Sequence, residues 1–517
     1  MNLSMVIDIP AMIVPDQLAV IADDHEETYA ALKEASGRWA GLLSSLGVGS
    51  GDRVAVFATN RPATLHALFG VLTLGGTVVP MNYRARGEEV AYLLRDSGAK
   101  LIVTEDRYLD VITGVGMPRE QVLTLDEGET KAEGFDPVED AAEVDDAAVG
   151  ILLYTSGTTS LPKGVMLTHN GFSTYVLANG EAADGEEHGT TLLAAPLYHV
   201  AGLTALTQAL FTGRRVVLLP QFEAGAWLDA VARHRVTHAF VVPSMLALLL
   251  RHPNFDTADL SSLEMLTYGA APMPAAVLRE AVDRFPRNVS FSGAYGQTET
   301  NSTVAVLGPD DHRMEGTPEE IEAKRRRLAS VGKPLPDVEV RIVDPLGTPV
   351  GANQTGEVQL RTARAMAGYW GARSADTRVT IDEEGWVHTG DLGYLDDDGY
   401  LYLTGRASDL IIRGGENISP GEIEAVLIQH PDVQEAVAFG VPDDQWGERV
   451  FAAVVLKPGA TVTGDQLVEL CKAQLAGSKR PEMVFIVEDF PRTATGKVLR
   501  RSMASQFVAG QEISASR

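Results

Sequence analysis

Val149-Gly150-Ile151-Leu152-Leu153 runs directly into Tyr154-Thr155-Ser156-Gly157-Thr158-Thr159-Ser160-Leu161-Pro162-Lys163-Gly164. The first five residues form a short apolar run closed by turn formers, which reads as a buried strand. The eleven that follow supply hydroxyls, an unhindered glycine backbone and a lysine, the groups that polyphosphate oxygens require. A Walker A loop would close on Gly-Lys, where this chain has Pro162-Lys163, so the loop is of another kind. No G-x-S-x-G elbow occurs in the chain, which disfavours a serine hydrolase.

Around this stretch, strands and helices alternate. Helical periodicity runs from Tyr29 to Leu46, opened by Thr28 and stopped by Gly47. Arg53–Phe57 reads as a strand, Arg61–Leu74 as a helix, Thr77–Pro80 as a strand, Glu88–Asp96 as a helix and Leu101–Val103 as a strand. The pattern returns in Thr190–Pro220 and Trp227–Leu250. Such alternation predicts an α/β fold of mostly parallel sheets covered by helices. The acidic stretch Asp126–Asp146 is expected to be a surface loop. After Val331 the residues of Asp337–Asp344 and Glu357–Arg361 alternate at period two, as in a smaller antiparallel subdomain with one wet face. A compact α+β segment follows: a helix from Glu422, strands Val437–Phe439 and Val450–Leu456, a helix Gln466–Leu475 and a strand Val484–Val487. The expected division is a core of residues 1–406, a hinge at 407–409 and a C-terminal domain of 410–517.

The chain has 517 residues and a net charge of −27. Length favours more than one folding unit, and an acidic surface disfavours nucleic acid as a partner. The basic run Lys324-Arg325-Arg326-Arg327 follows a capping box at Thr317-Pro318-Glu319-Glu320 and reads as one face of a solvated helix. Cys471 is the sole cysteine, which rules out an intrachain disulfide and a thiol zinc cluster. No signal peptide or integral membrane segment is expected, since Met1–Gln17 has no basic residue and Ala239–Leu250 is too short to span a bilayer. These features predict a cytoplasmic protein. His234 and His238 are spaced like helical zinc ligands, but Arg235 stands where a metalloprotease has glutamate; a helix running into a strand accounts for both.

Further motifs follow in order: Gly269-Ala270-Ala271-Pro272, Tyr295-Gly296-Gln297-Thr298-Glu299, Thr389-Gly390-Asp391, Gly405-Arg406-Ala407-Ser408-Asp409, Gly414-Gly415-Glu416-Asn417, and Pro491-Arg492-Thr493-Ala494-Thr495-Gly496-Lys497. With the Pro-Lys-Gly loop, this series resembles the adenylate-forming superfamily, and within it the acyl- and aryl-CoA synthetases. The resemblance covers nearly the whole chain. It implies ATP, Mg²⁺ and coenzyme A as the small molecules used, with a carboxylic acid as substrate. It also implies a small C-terminal domain that moves between the two half-reactions.

By the same resemblance, Thr155, Ser156, Gly157, Thr158, Thr159 and Lys163 face the ATP phosphates. Gly269, Ala270 and Ala271 hold adenine by their backbone, with Tyr295 stacking on the base and Gly296 beside it. Thr298 is an α-phosphate donor and Glu299 the carboxylate for Mg²⁺, a hard cation suited to one carboxylate plus phosphate oxygens. Asp391 matches the acid that takes the ribose hydroxyls, and Arg406 the guanidinium near ribose and phosphate. Lys497 matches the ammonium that meets transition-state charge at the acyl carboxylate and α-phosphate. His199, Ala201 and Gly202 fall at the acyl pocket, Gly414, Gly415, Trp446 and Arg480 on the coenzyme A side, and Ser408 at the hinge.

Three positions depart from the family pattern: Ser160 for glycine, Ser408 for Asp or Lys, and Gly477-Ser478-Lys479 where an aromatic usually precedes Lys. No acid lies between Leu192 and Leu219 to pair with a substrate ammonium, which favours a neutral acyl or aryl tail. The expected reaction is ATP-dependent formation of an acyl-CoA through an acyl-adenylate. Alternatives are the loading of a carrier protein and a nucleotide-binding relative without catalysis; a homodimer is left open.

Overall fold

The computed structural model describes residues 1–155, 161–443, 445–492, 498–500 and 502–503. The chain divides into two compact units, Met1–Glu339 with Leu360–Val387, and Val340–Gln359 with His388 onward.

The first unit carries two large sheets. One has the order Lys333–Pro334, Ser302–Leu307, Ser290–Gln297, Met265–Gly269, His238–Val241, Thr190–Leu193, Arg215–Leu218, Leu18–Ala22, His25–Thr28. Its central pairings, from Ser290–Gln297 to Leu18–Ala22, are parallel. The edges turn antiparallel. The other runs Gly368–Tyr369, Lys163–Thr168, Val149–Thr155, Thr77–Pro80, Arg53–Phe57, Leu101–Thr104, Val122–Thr124. Its inner strands are parallel, and Lys163–Thr168 is antiparallel to both of its neighbours. The mixed α/β architecture expected from the alternation is present.

Local signals explain the elements. The helix Tyr29–Ser45 starts where the Ala31 amide donates to Thr28 Oγ1 at 3.2 Å. Its buried face (Leu32, Ser36, Trp39, Ala40, Leu43) packs on the helix Pro62–Thr73. At that crossing a Cβ on Gly70 would lie 3.0 Å from the Ala40 nitrogen and 3.1 Å from the Ser36 carbonyl, so glycine permits the close approach. His234 ends the helix Ala224–His234 and His238 opens a strand, with Arg235 between them in the left-handed region at φ 47°.

The acidic stretch Asp126–Asp146 is loop from Glu133 onward, as expected, but its first residues differ. Leu125–Ala132 is helical, because Thr124 and Glu127 form a complete capping box. That helix aims Glu129 inward. His66, buried on Pro62–Thr73, places Nδ1 3.0 Å from Glu129 and Nε2 2.9 Å from Glu27, and Trp39 Nε1 donates to Glu129 at 2.5 Å. With a carboxylate on each ring nitrogen, both nitrogens donate and the imidazole is held as a cation. Burial alone would lower its pKa, but the hydrogen bonds and charges of Glu129 and Glu27 prevail and raise it to about 9.

The second unit holds a four-stranded sheet, Glu339–Val343, Gly356–Arg361, Val387–Leu395 and Leu401–Arg406. A second sheet is built on the hairpin Val433–Asp443 and Gly447–Leu456, joined by Ile411–Arg413, Glu416–Ile418 and Val484–Ile486. Helices Pro420–Ile428 and Gly464–Gln474 pack together and help bury Ile423, Leu427, Leu467 and Cys471. The hairpin strands are longer than their apolar cores suggest, since Val433–Asp443 continues through half-exposed residues. Among the described residues no helix is long and apolar enough to cross a membrane.

Candidate functional site

Within the first unit, the candidate nucleotide residues gather at strand ends. Thr155 closes Val149–Thr155 and pairs in register with Lys163, so the hairpin brings both ends of the polar loop together. Its base is fixed from the side: Tyr154 Oη donates to Asp96 at 2.7 Å and Tyr92 Oη to the Pro162 carbonyl at 2.9 Å. Burial first, and then the Asp96 carboxylate, push the Tyr154 pKa upward, so it remains a donor. Ser156, Gly157, Thr158, Thr159 and Ser160 lie outside the described residues.

Gly269 ends the strand Met265–Gly269 opposite Ala294, and a Cβ there would collide with the Ala294 carbonyl. Ala270 follows in the left-handed region at φ 65°, and Ala271 is half-buried. Tyr295 stands on the neighbouring strand, and a register shift separates it from Gly296. A side chain on Gly296 would meet the Ser302 carbonyl, so the strand and its return lie close here.

The strand runs into a 3-10 turn, Thr298–Thr300. Asn301 and Ser302 then adopt φ 56° and 86°, a conformation that costs non-glycine residues on the order of 1–3 kcal/mol each. Carbonyls of this turn and of the strand that follows converge on a buried cation. Arg364, 1% exposed, donates to Thr300 O (3.0 Å), Asn301 O (3.4 Å) and Thr303 O (2.7 Å), with Asp337 as its counter-ion at 2.6 Å.

The segment after Arg364 ties the turn to the lysine loop. Met366 N donates to the Glu299 carbonyl at 2.9 Å and Tyr369 Oη to Glu299 Oε1 at 2.9 Å. Gly368 and Tyr369 pair with Met166 and Val165, and Trp370 N donates to Gly164 O at 2.8 Å. Lys163 Nζ sits 4.8 Å above the Tyr369 ring and 2.9 Å from Asp376. The hydrogen bond from Lys163 lowers the Asp376 pKa. Lys163, Thr298 and Glu299 thus belong to one stitched assembly, a cation and an anion with donors between them.

His199 precedes the helix Val200–Phe211 and its ring lies 4.4 Å from that of Tyr198. Gly202 allows the first turn to approach Pro196, whose carbonyl a side chain would strike, while Ala201 is half-buried beside it.

In the second unit, Asp391 and Arg406 meet. They are register partners on adjacent strands, and Arg406 Nε lies 2.9 Å from Asp391 Oδ1. Asp391 is 5% exposed and its amide donates to Thr389 Oγ1. Ser408 lies in a 3-10 turn, its hydroxyl 3.2 Å from Asp409. Gly414 and Gly415, at φ 59° and 85°, form the tip between Ile411–Arg413 and Glu416–Ile418. The Gly414 amide donates to the Trp446 carbonyl at 2.7 Å, and the half-exposed Trp446 ring carries Arg413 at 5.7 Å. Gly414, Gly415 and Trp446 are therefore neighbours. Arg480 is exposed and donates to the Leu475 carbonyl. Lys497 lies outside the described residues.

Sequence reasoning did not single out Arg364, Asp337, Tyr369 or Asp376. Gly368-Tyr369-Trp370 was the available signal, an aromatic pair after a glycine close behind a strand.

Strand ends, a lysine loop and one acidic turn thus gather on the first unit of a mixed α/β protein. Residues 11–370 match the AMP-binding enzyme family and residues 422–497 match the AMP-binding enzyme C-terminal domain. The chain belongs to the AMP-binding enzyme family. A feruloyl-CoA synthase from an Amycolatopsis species is 37% identical over 484 residues, covering 93% of this chain and 94% of the relative. A fatty acid–[acyl-carrier-protein] ligase, ScoC, from Streptomyces coeruleorubidus is 34% identical over 502 residues, covering 95% and 94%. Among solved structures, the o-succinylbenzoate CoA synthetase of Bacillus subtilis in complex with the acyl-adenylate intermediate OSB-AMP matches with a TM-score of 0.82 at 32% identity, covering 97% of each chain.

Proposed function

We propose that this protein is an acid–thiol ligase. It joins a carboxylate to the α-phosphate of ATP, releasing pyrophosphate, and then passes the acyl group to the thiol of coenzyme A, releasing AMP. The observation that carries this reading is the Lys163–Tyr369–Glu299 assembly, which sets a cation and a carboxylate on one aromatic support next to Thr298.

In this reading Lys163 and the hydroxyls of the 155–159 loop bind the triphosphate, and Tyr295 and the Gly269–Ala271 backbone hold adenine. Asp391 and Arg406 serve the ribose. The residues fit a magnesium ion held by Glu299: one of its oxygens takes a neutral donor, leaving the carboxylate its charge. Among the described residues no group of three acidic, histidine or cysteine side chains forms an all-protein cage. This is the donor set of an ion that completes its shell with phosphate and water. When bound it would neutralise charge on the phosphates. Lys497 then stabilises charge developing between the acid and the α-phosphate. Rotation about Ser408 would exchange Lys497 for the Gly414–Gly415 and Trp446 face in the thiol step, with Arg480 on the coenzyme A side. The core 1–406, hinge 407–409 and domain 410–517 are the moving parts this requires.

His199, Ala201 and Gly202 border the acyl pocket, and the lack of an acid from Leu192 to Leu219 favours a neutral fatty or aryl tail. Use of ATP and coenzyme A favours the cytoplasm as the place of work. A second reading, delivery to a carrier protein, is favoured by the likeness to ScoC. Incubation with ATP, magnesium, a panel of fatty and aryl acids and either coenzyme A or a phosphopantetheinylated carrier, followed by mass measurement of the thioesters, decides between them. Acyl-CoA with AMP release is expected. Acyl carrier alone supports the second reading, and no thioester with any acid refutes both.

A further inference from the structure

Tyr369 is 4% exposed and touches the two groups of opposite charge in the first unit's candidate phosphate site. Its ring lies 4.8 Å under Lys163 Nζ, and its hydroxyl donates to Glu299 Oε1 at 2.9 Å. The two belong to different sheets: Lys163 begins a strand of the seven-stranded sheet, and Glu299 sits in the turn after a strand of the nine-stranded one. We propose that Tyr369 is a positioning residue for the activation step, setting the phosphate-binding lysine and the metal-binding carboxylate as one unit. This rests on the roles given above to Lys163 and Glu299.

The backbone of Tyr369 is fixed well enough to act this way. It pairs with Val165, two residues from the lysine, and its amide donates to Thr377 Oγ1 at 2.9 Å. Gly368 before it has φ 135°, where a Cβ would press on Thr377, so a larger residue would displace the tyrosine. On the other flank Met366 N holds the Glu299 carbonyl at 2.9 Å, so the carboxylate is gripped through both its main chain and its side chain. A phenol keeps its proton near neutral pH, so the hydroxyl donates to the Glu299 carboxylate. The ring acts on Lys163 by its quadrupole and needs no hydroxyl, whereas the grip on Glu299 needs the hydroxyl alone. The two contacts can therefore be removed separately.

The test titrates the whole protein calorimetrically with the non-hydrolysable analogue AMP-CPP at a series of magnesium concentrations, beside steady-state kinetics. In Y369F the magnesium concentration for half-maximal nucleotide binding should rise about threefold to tenfold, the loss of one hydrogen bond to a charged group. Affinity at saturating magnesium should stay within about twofold, because the ring remains under Lys163. Y369L should also weaken binding at saturating magnesium, about threefold or more. E299Q sets the reference, and adding Y369F to it should shift the magnesium midpoint no further. A midpoint shift in E299Q with none in Y369F overturns the role of Tyr369 alone. No shift in either overturns the assignment of Glu299 and this proposal with it. A purely structural tyrosine would lower the unfolding temperature of Y369F and weaken binding equally at every magnesium concentration, which also overturns the proposal.

Discussion

Lys163 Nζ lies 2.9 Å from Asp376, so the lysine proposed to bind phosphate has a carboxylate partner within the protein. Both side chains are partly exposed, 26% and 34%, which makes the pair worth about 0.2–1 kcal/mol. In the proposed function, ATP competes with this carboxylate for the lysine. Asp376→Asn should therefore tighten nucleotide binding by up to about fivefold. Calorimetric titration with AMP-CPP checks it; weaker binding would mean that Asp376 orients Lys163 and does not compete for it.

Arg364 is buried with its charge balanced by Asp337 and three carbonyls, of Thr300, Asn301 and Thr303. Removing the carboxylate leaves a guanidinium without its counter-ion in the interior. Asp337→Ala should cost about 3 kcal/mol, at the low end for a broken buried pair because Asp337 is 31% exposed. Urea unfolding measures the loss, and a change under about 0.5 kcal/mol would show that the carbonyls suffice.

His66 makes stability depend on alkaline pH. Its pKa is about 9 in the folded protein against 6.5 for an ordinary histidine. The folded state holds the proton more tightly, so the contribution is complete below about pH 6.5 and fades as pH rises through 9. The size is on the order of 3 kcal/mol. His66→Gln should be less stable at pH 6 and should flatten the decline between pH 7 and 9. Thermal unfolding across that range is the measurement, and parallel pH profiles for both proteins would contradict the assignment.

Lys497→Ala should lower acid-dependent pyrophosphate exchange about 100- to 1000-fold, the usual loss for one electrostatic donor. ATP binding should stay within about twofold, since in the proposed role the ammonium acts on charge that develops later. Near-normal exchange would place the chemistry elsewhere.

Trp446→Ala should separate the half-reactions. The exposed ring stands beside Gly414 and Arg413 on the face assigned to coenzyme A. Its loss should raise the KM for coenzyme A about fivefold or more, as for a stacked base, and leave pyrophosphate exchange unchanged. Equal effects on both would argue for a structural role.

Legibility in the sequence followed the range of the interactions. The helix after Thr28 and the strand at Arg53–Phe57 were readable because a cap and an apolar run are local signals. Residues 126–132 read as loop because high acidity masked a capping box at Thr124 and Glu127. Single motifs such as Asp391 and Arg406 could be named separately, and strand register is what joins them. Arg364 and Asp337 gave no local cue: they are far apart along the chain, in a stretch read only for its period-two alternation, and pairing becomes visible when three carbonyls converge. Tyr369 stayed hidden for the same reason, since its two partners come from other parts of the chain.

The route of the chain between the two units also limits how the protein can be dissected. Residues 340–359 belong to one unit and 360–387 return to the other. A fragment ending at Glu339 would keep Lys163 and Glu299 but lose Arg364, Met366 and Tyr369, the stitches between them. Proteolytic nicking anywhere in 340–387 would leave neither piece self-sufficient, and a truncation meant to isolate nucleotide binding has to extend past Val387.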